Sequence, residues 1–574
     1  MISSNSSIEE RNRRIDDAMR RVGPSVSKKG LYSRAFLVYQ IKTSVNAYSE
    51  VSKAVSRANE GDALVEAALN DAIANVDDKM VLDAVGKLSS EDLRAYLLAG
   101  PAADGRIRGN YSTPDGVASL AVKILEVKDG DTVIDFGSGV GGFLERVSAT
   151  GVDANLIGVE NDGDAVAVAR MRARASGSGA TYECGDMFEF YESKVANNKV
   201  DKAFSNYPWS IREKVLEEKT DYFAKALEDI SRYGRLASSD WVFNHLLVNS
   251  ISEDGIAVGI MSNGSAFNVA DSRVRRHFIE KGWVKAAVSL PGGVFSHWTG
   301  AATTLVVFCH GNVGGIRLVD ATDLGTKGRR GVSLTDDDIQ IIASRLREDS
   351  DKSAMASVDD LARREYTLSA RRFLQKEIKL INPVVMDDII VEVTRGAFLR
   401  AQELDELSCC DETGFHYLNL ANIADGSIDD RLPCIKEIDP KFRKSCLTSG
   451  DLLISKNGGP YKVAVAKVPD GQEILANGNL YIIKLDKKKA NPYYIAAFFN
   501  SPDGRETLDR ASRDGVFPSL SLRELRNIKV PLKSKEAQDH IAAAYLAKLD
   551  EIGGLKLRLA RARGELNGLF DEEA

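Results

Sequence analysis

The stretch Thr132-Val-Ile-Asp-Phe-Gly-Ser-Gly-Val-Gly-Gly-Phe-Leu144 joins a short apolar run to a cluster of glycines. The apolar run is typical of a buried β-strand and contains the acidic residue Asp135 near its end. Glycine lets the backbone approach a ligand closely, and the residues that follow predict a helix. The arrangement therefore predicts an α/β domain whose first turn holds a nucleoside, as NAD-binding and methyl-donor domains both do. The glycines concerned are Gly137, Gly139, Gly141 and Gly142.

Two acidic residues follow at spacings that suit the same ligand. Glu160 ends the next apolar run, about twenty residues after the glycines, where an acid can bind the hydroxyls of a ribose. Asp186 and Met187 follow a third strand-like segment, where an acid and apolar side chains could cap and sandwich an adenine ring. Taken alone, Glu160 is also compatible with an ordinary surface glutamate, and the segment with Asp186 and Met187 is compatible with a generic loop.

The segment Ser205-Asn-Tyr-Pro-Trp209 directly follows the apolar-rich Val200–Phe204. It places a side-chain amide, a proline and a large aromatic side chain at the carboxyl end of a predicted strand. Ligands bind at this edge in open α/β sheets. We therefore expect the reacting group of the substrate to lie here.

Composition limits the function classes. The 574 residues carry a net charge of −7, which argues against coating nucleic acid by bulk charge, although residues 1–60 alone carry +5. The six cysteines include no CxxC pair, so we expect reduced thiols and no zinc module. No run is long and apolar enough for a membrane span, and the first residues lack a secretory pattern, so we expect a cytoplasmic protein without membrane partners.

The pattern of apolar and polar residues divides the chain into four parts. Residues 1–105 are helical in pattern, and residues 106–375 alternate short apolar runs with helices, with a polar helical bridge over 325–375. Residues 376–535 predict a separate irregular α/β or mostly β domain. Residues 536–574 predict a helix with a coiled-coil seam, interrupted at Gly553-Gly554, which either dimerises or packs on its own domain.

The two central motifs, Asp135–Leu144 and Asn206–Trp209, resemble the paired motifs of S-adenosylmethionine-dependent amino-methyltransferases that act on DNA adenine. Arg108–Pro114 resembles the entry motif of that family. Two further segments, Leu290–Phe295 and Glu365–Ser369, are similar to segments of the modification subunits of type I restriction-modification systems. The resemblance implies a Rossmann-like methyltransferase domain, S-adenosylmethionine as the cofactor and double-stranded DNA as the substrate. It adds Tyr111, Thr113 and Pro114 to the cofactor-binding residues.

The resemblance also implies a division of labour in catalysis. The side-chain oxygen of Asn206 and the carbonyl of Tyr207 would accept the N6 hydrogens of a flipped-out adenine. Pro208 follows these two residues, and Trp209 would stack on the base. The family has proline where this chain has Tyr207, and we expect that change to remove rigidity. No metal is needed.

Residues 380–574 resemble one half of a type I specificity subunit, which implies a target-recognition domain and its helix. The candidate DNA contacts lie in Gly-rich turns, where Arg and Asn can pair with base edges, although each is equally a solvated loop residue. One recognition half reads one half-site, so the terminal helix predicts a homodimer. The candidate residues are Arg395, Lys456, Asn457 and Arg513.

Two alternatives stay open. Related motifs also serve cytosine-N4 methylation. The tyrosine at position 207 is compatible with a catalytically weak DNA-recognition scaffold of a defence complex. The sequence contains no convincing nuclease constellation and no GxxxxGK[ST] phosphate loop, so we expect any DNA cleavage to belong to a separate restriction subunit.

Overall fold

The computed structural model forms two compact units, Met1–Gln375 and Lys376–Ala574. No helix in the part of the chain it describes is long and apolar enough to cross a membrane. The described residues are 2–44, 51–101, 113–209, 221–234, 236, 239–295, 302–328, 331–374, 380–429, 431–457, 460–512 and 519–568.

The first unit begins with a group of helices held together by a buried arginine. The Arg34 guanidinium donates to the carbonyls of Ala72, Met19 and Pro24 at 2.7, 2.9 and 2.9 Å, which joins three helical segments. Charge-assisted bonds of this kind offset the cost of burying the cation. The helices are α1 (Ile2–Arg21), α2 (Lys28–Thr43), α3 (Val51–Ala58), α4 (Ala63–Ile73), α5 (Asp78–Lys87) and α6 (Ser90–Ala99).

A nine-stranded, mostly parallel sheet forms the centre of the first unit, in the order β11-β8-β6-β7-β5-β4-β1-β2-β3. Strand β7 is antiparallel to both its neighbours, and β11 is antiparallel to β8. This confirms the predicted mixed α/β fold. The strands are β1 (Thr132–Phe136), β2 (Asn155–Glu160), β3 (Thr181–Cys184), β4 (Val200–Ser205), β5 (Ile251–Ser262), β6 (Val284–Ser289), β7 (Thr303–Phe308), β8 (Ile316–Asp320), β9 (Thr326–Gly328), β10 (Gly331–Ser333) and β11 (Ser353–Ala356).

Helices cover the sheet and complete its core. The α4 N-cap Asp62 accepts from Arg170 at 2.9 Å, which ties the N-terminal helices to a helix that follows β2. The helices are α7 (Asp115–Leu125), α8 (Gly142–Ser148), α9 (Gly163–Ser176), α10 (Met187–Phe190), α11 (Asp221–Ser231), α12 (Asp240–Ser250), α13 (Ser272–Glu280), α14 (Asp336–Arg345), α15 (Val358–Ala362) and α16 (Ala370–Leu374).

The segment 325–375 is not the polar helical bridge that its sequence predicts. It contains the β9–β10 hairpin, the capped helix α14, and β11, which is an edge strand of the central sheet. The two end residues of β11, Ser353 and Ala356, are buried although the strand carries little apolar side-chain volume. The polar residues of this segment lie mostly on the exposed faces of these elements. They therefore give no signal in the sequence that the strands pair.

The second unit contains a four-stranded antiparallel sheet, β13-β20-β17-β18, with smaller pairs β12-β21, β14-β19 and β15-β16. The strands are β12 (Pro383–Val385), β13 (Ile390–Arg395), β14 (Phe415–Leu418), β15 (Ile423–Ala424), β16 (Ser427–Ile428), β17 (Leu452–Ser455), β18 (Val463–Val465), β19 (Glu473–Ala476), β20 (Leu480–Leu485) and β21 (Lys529–Pro531). The helices are α17 (Ala401–Leu407), α18 (Pro492–Asn500), α19 (Pro502–Ala511), α20 (Leu522–Asn527) and α21 (Lys535–Gly568).

Helix α21 is continuous through Gly553 and Gly554, so the predicted interruption is wrong. Two glycines cost about 1 kcal/mol each in a helix interior, and the leucine, lysine and arginine residues around them are good helix formers. The beginning of the helix is fixed by buried Gln538, whose Nε2 donates to the carbonyls of Lys489 and Lys533. From residue 553 onward, every residue whose side chain is described is exposed.

Candidate cofactor and active-site cleft

The glycine-rich turn after β1 is held against β2 by backbone hydrogen bonds. The N–H groups of Gly137 and Ser138 both donate to the carbonyl of Val159, at 2.8 and 3.0 Å. Gly139 has a φ of 52°, and a Cβ there would meet no atom within 4 Å. Glycine is therefore required at this position by its left-handed backbone, and the space in front of it is open.

Glu160 stabilises this turn from the end of β2. Its Oε2 accepts from the Gly139 N–H at 2.9 Å, and its Oε1 accepts from the Asp162 N–H at 2.9 Å. The acid therefore joins the two loops at the carboxyl edge of the sheet, a structural role that the sequence did not predict. It also lines the cleft in front of the turn.

Asp135 and Ser138 each have a buried side-chain oxygen without a hydrogen-bond partner in the described part of the chain, Oδ1 and Oγ respectively. Burial raises the pKa of Asp135 well above its ordinary value, and the negative charge of Glu160 raises it further. Asp135 lies behind the turn, whereas Ser138 lines the cleft. Unpaired buried polar atoms are costly, so this region is built for a polar or cationic ligand.

Asp186 and Met187 close one side of the cleft. The Asp186 Oδ1 accepts from the N–H groups of Phe188 and Glu189 at 2.8 and 3.1 Å, which caps α10. The Met187 Cε lies 3.5 Å from the position of a Cβ on Gly137. The methionine thioether therefore lies over the glycine turn.

The amide of Asn206 meets the segment before α7. Its Nδ2 donates to the Thr113 Oγ1 at 3.2 Å, and Thr113 precedes Pro114, the N-cap residue of α7. Asn206 is 5% exposed and lies just after β4. The structure therefore brings together two motifs that lie 93 residues apart in sequence. The remaining residue of the first motif, Tyr111, lies outside the described residues.

Tyr207 points away from the cleft into the core. Its ring stacks on Phe243 with 4.7 Å between centroids and 10° between planes, and its hydroxyl donates to the Asn244 Oδ1 at 2.7 Å. Burial raises its pKa well above the ordinary value. The backbone restriction of proline is absent at this position, and the stacked and hydrogen-bonded tyrosine side chain anchors the loop through contacts instead.

Trp209 packs edge-to-face on Phe295, with 4.7 Å between centroids and 84° between planes. Phe295 lines the cleft and belongs to the segment Leu290–Phe295. Edge-to-face aromatic pairs stabilise each other beyond their buried area. Phe295 therefore gives this end of the cleft an aromatic wall, and Trp209 packs against that ring outside the lining.

One open cleft of about 2110 Å³ collects most of the predicted site residues. Gly141, Asp135, Tyr207 and Trp209 are not part of its lining; a Cβ on Gly141 would lie 2.4 Å from the Tyr182 hydroxyl, so this glycine serves packing. The predicted residues that line it are Thr113, Pro114, Gly137, Gly139, Gly142, Glu160, Asp186, Met187, Asn206 and Pro208.

Sequence reasoning missed four residues that shape this site. Ser138 lies between two of the quoted glycines, a position that a search for polar side chains in the turn would have found. Phe295 lies in a quoted segment to which no role was given. Tyr182 and Asn244 carry no local signal, because their importance arises from contacts with Gly141 and Tyr207.

Three of the four candidate DNA contacts lie at one end of the sheet in the second unit. The Arg395 guanidinium lies 5.7 Å from the Tyr481 ring centroid, and Asn457 donates to the Asn479 Oδ1 at 3.0 Å. The N–H of Lys456 donates to the carbonyl of Asn479 at 2.7 Å. Arg395 is the last residue of β13, and Lys456 and Asn457 directly follow β17. Strand β20 pairs with both of these strands. Arg513 lies outside the described residues.

Comparisons with known proteins bear on the first unit. The chain is 24% identical over 306 residues to the type I restriction enzyme MjaIX methylase subunit of Methanocaldococcus jannaschii, covering 48% of this chain and 53% of that protein. This chain thus spans about half the length of the curated relative it matches.

Two solved structures are also similar. A type I restriction-modification methyltransferase subunit from Streptococcus thermophilus matches with a TM-score of 0.50 and 18% identity, over 64% of this chain and 99% of that one. A modification subunit of a type I restriction enzyme from Vibrio vulnificus matches at a TM-score of 0.46 and 15% identity, over 61% and 93%. The first likeness supports the fold.

The sequence profile of the family described as N-6 DNA methylase matches residues 92–379. This range is half of the chain, and it contains the glycine turn, Asn206 and the strands that hold them. The chain therefore belongs to the N-6 DNA methylase family.

Proposed function

We propose that this protein transfers a methyl group from S-adenosylmethionine to the N6 amine of adenine in double-stranded DNA. The observation that carries the proposal is the contact between Asn206 and Thr113 in the cleft that the glycine turn also lines. A side-chain amide held in one orientation at the carboxyl edge of the sheet suits recognition of an amine with two hydrogens.

The cleft fits the cofactor on chemical grounds. The open space before Gly139 and Gly185 accepts a nucleoside against bare backbone, and the buried Ser138 Oγ offers an unpaired polar atom. Glu160 and Asp186 would bind the ribose and adenine, and a cationic group bound in front of the turn would favour the ionised form of Asp135 behind it. When bound, S-adenosylmethionine supplies an activated methyl group on a positively charged sulfur.

The chain's own residues would activate and orient the target amine. The lone pair of an adenine amine is delocalised into the ring, so the amine is a poor nucleophile. The Asn206 Oδ1 and the Tyr207 carbonyl would accept its two hydrogens and favour a tetrahedral nitrogen. Phe295, with Trp209 packed edge-to-face against it, would provide an aromatic wall that excludes water. Positioning is then the main source of rate enhancement.

The size of the cleft supports an extruded base as the second ligand. Its volume of about 2110 Å³ exceeds the roughly 300–1,000 Å³ of a site for one small molecule. Arg20 and Arg21, which are exposed in the last turn of α1, also line it and could contact phosphates. An adenine must leave the duplex to be methylated, at a cost of a few kcal/mol.

Nucleoside analysis of methylated DNA tests this proposal and separates it from the alternatives. We expect N6-methyladenine after incubation with S-adenosylmethionine and unmethylated DNA. N4-methylcytosine would instead favour the related cytosine activity. No methylated base, despite measured binding of cofactor and DNA, would favour a recognition scaffold.

We propose that the second unit recognises the DNA sequence. Its support is the grouping of Arg395, Lys456 and Asn457 at one end of a sheet, around Asn479 and Tyr481. A Cβ on Gly396 would lie 2.0 Å from the carbonyl oxygen of Asn477, so the segment after β13 and the turn before β20 approach each other closely. Guanidinium and amide groups placed together suit readout of base edges.

We also propose a homodimer through the end of α21. Leu555, Leu559 and Leu566 are 49, 52 and 64% exposed, and they follow the spacing of a coiled-coil seam. Sedimentation should show a dimer for the wild type and a monomer for Leu559→Glu. Leu557→Glu, which lies off the seam and is 59% exposed, should remain dimeric. A monomeric wild type, with and without DNA, would contradict the dimer. Any DNA cleavage would come from a separate restriction subunit.

A further inference from the structure

Three side chains that carry metal-ligand atoms meet in the second unit, far along the chain from the cleft. The donor atoms of Glu412, His416 and Cys434 all lie within 4.8 Å of one another. The Cys434 Sγ is 3.8 Å from the Glu412 Oε2 and 3.7 Å from the His416 Nδ1. Neither the cofactor cleft nor the proposed DNA-recognition end of the sheet includes them.

The spacing matches one metal geometry closely. Tetrahedral zinc binds sulfur at about 2.3 Å and nitrogen or oxygen at about 2.0–2.2 Å, so two such ligands lie roughly 3.6 Å apart. The two separations from Cys434 agree with this value within a few tenths of an ångström. Thiolate, imidazole and carboxylate together select zinc over magnesium or calcium, which prefer oxygen ligands alone.

The local fold holds these donors on separate segments. Cys434 lies beside β14, where Ile435 N–H donates to the Phe415 carbonyl at 2.9 Å and Tyr417 N–H donates to the Pro433 carbonyl at 3.0 Å. On the other side, the N–H of Cys409 donates to the carbonyl of Cys434 at 3.2 Å. This bond places the Cys409 backbone beside Cys434, while the Cys409 thiol contacts the Asp411 carbonyl at 3.6 Å.

The cluster lies on the face of β14 opposite a small apolar group. Tyr417 and Ile435 belong to that group with Ala397, Ile438 and Leu475. Successive side chains of a strand point to opposite faces, so His416 and Cys434 lie on the face away from that group. A metal ion there would add a crosslink to the apolar packing that both faces of β14 already have.

His416 strengthens the case for a ligand. It is 6% exposed, and in the described part of the chain its Nε2 has no hydrogen-bond partner, so the thiol is its one recorded polar contact. A buried imidazole normally satisfies both nitrogens. A cation bound through Nδ1 would replace the weak contact with the thiol by a strong one, and Nε2 would still need a separate partner.

We propose that Cys434, His416 and Glu412 bind one structural zinc ion in the second unit, and that Cys409 supplies the fourth donor by turning its thiol away from the Asp411 carbonyl. The sequence did not predict it because no CxxC pair is present, and the donors come from three segments that only the fold brings together. The ion would hold the segment after α17 to β14.

Metal content of the full-length protein tests the proposal first. Protein from zinc-supplemented cells, purified without chelator, should contain about one zinc ion per chain. Cys434→Ser and His416→Ala should each lose it. Cys446→Ser is the matched control, because that thiol is also half-buried in this unit but contacts the Phe442 carbonyl instead. Metal-free wild type, or zinc retained in Cys434→Ser, would overturn the proposal.

A second measurement avoids variants that fail to fold. In the wild type, alkylation of Cys434 should be slower with zinc than after chelation, while the exposed Cys410 should react equally fast in both states. Cobalt in place of zinc should give a thiolate charge-transfer absorption. Equal alkylation rates for Cys434 in the two states would overturn the assignment even if every variant were unfolded.

Discussion

The hydroxyl of Tyr207 donates a hydrogen bond of 2.7 Å to the Asn244 Oδ1, and the same amide donates from Nδ2 to the Met261 Sδ at 3.5 Å. Tyr207 directly follows Asn206, the amide that faces Thr113. The residue that departs from the family motif is therefore fixed in the core by a buried network. We infer that the network positions the Asn206 amide.

Tyr207→Phe should reduce turnover more than cofactor affinity. It removes one buried hydrogen bond and leaves the Asn244 oxygen unpaired, which costs about 1–3 kcal/mol of stability. The ring still stacks on Phe243, so the loop keeps its path but loses its tether. Chemical denaturation, kcat and the Kd of S-adenosylmethionine should be measured on the same preparation.

Tyr366→Phe is the matched control for this change. The Tyr366 hydroxyl donates to the Glu280 Oε1 at 3.1 Å near the surface, and its loss should change stability by less than about 0.5 kcal/mol. An unchanged kcat in Tyr207→Phe, together with the expected loss of stability, would show that the network serves folding alone.

Gly139→Ala should weaken cofactor binding by roughly tenfold or more, equivalent to about 1.4 kcal/mol. The new methyl group would project into the open space of the turn, and the left-handed backbone adds about 1–2 kcal/mol of strain. Isothermal titration with S-adenosylmethionine measures the first effect, and the melting temperature measures the second.

Gly151→Ala separates strain from ligand contact. Gly151 has a φ of 83°, and a Cβ there also meets nothing within 4 Å, but it is not among the residues that line the cleft. It should lose a similar amount of stability and bind cofactor normally. Equal losses of affinity in both variants would mean that backbone strain, rather than the cleft, controls binding.

Asp135→Asn should stabilise the ligand-free protein at neutral pH. Burial, and then Glu160, raise the pKa of the Asp135 carboxyl in the folded chain. Because the pKa is higher in the folded chain, the contribution of this carboxyl to the free energy of unfolding is full below its unfolded pKa of about 3.9. That contribution is lost as the pH rises through the folded pKa. The melting temperature should rise by roughly 2–4 °C at pH 7, and this gain should shrink toward pH 4.

The exposed Asp153→Asn provides the comparison for that pH series. Its carboxyl is solvated in both states, so its variant should follow the wild type at every pH. A gain for Asp135→Asn that stays constant from pH 7 to pH 4 would contradict the burial argument.

Lys456→Ala should weaken DNA binding to a similar extent on all sequences. A phosphate contact contributes through counterion release, so the slope of log K against log salt should fall by about 0.9. Lys441→Ala is the control, since the Lys441 Nζ already pairs with the Asp439 Oδ2 at 2.7 Å. Loss of affinity on a single sequence only would indicate base readout by Lys456 instead.

The parts of the fold that could be predicted are those with a local signal. The apolar run Thr132–Phe136 and the glycines after it lie within one stretch, and the mixed α/β fold with a mostly parallel sheet is confirmed. The pairing of β11 with the sheet was missed, because a short polar edge strand has no apolar alternation to reveal it.

Roles that depend on distant contacts could not be predicted. Tyr207 and Asn244 are 37 residues apart, and nothing in either segment marks them as partners. Glu160 could be placed near a ribose by spacing, but its two bonds to backbone N–H groups depend on how the loops fold back. The continuity of α21 through two glycines likewise depends on the sum of its neighbours' helix propensities.

The most direct test of the central claim compares the wild type with Asn206→Ala. Both are incubated with labelled S-adenosylmethionine and unmethylated mixed-sequence DNA, and the methylated nucleosides are identified by mass spectrometry. The exposed Asn198→Ala is the control for amide loss. We predict N6-methyladenine at sparse sites for the wild type and Asn198→Ala, and transfer reduced by about 10²-fold or more in Asn206→Ala, with unchanged cofactor affinity. Wild-type transfer by Asn206→Ala, or loss of its cofactor binding, would contradict the role given to this amide.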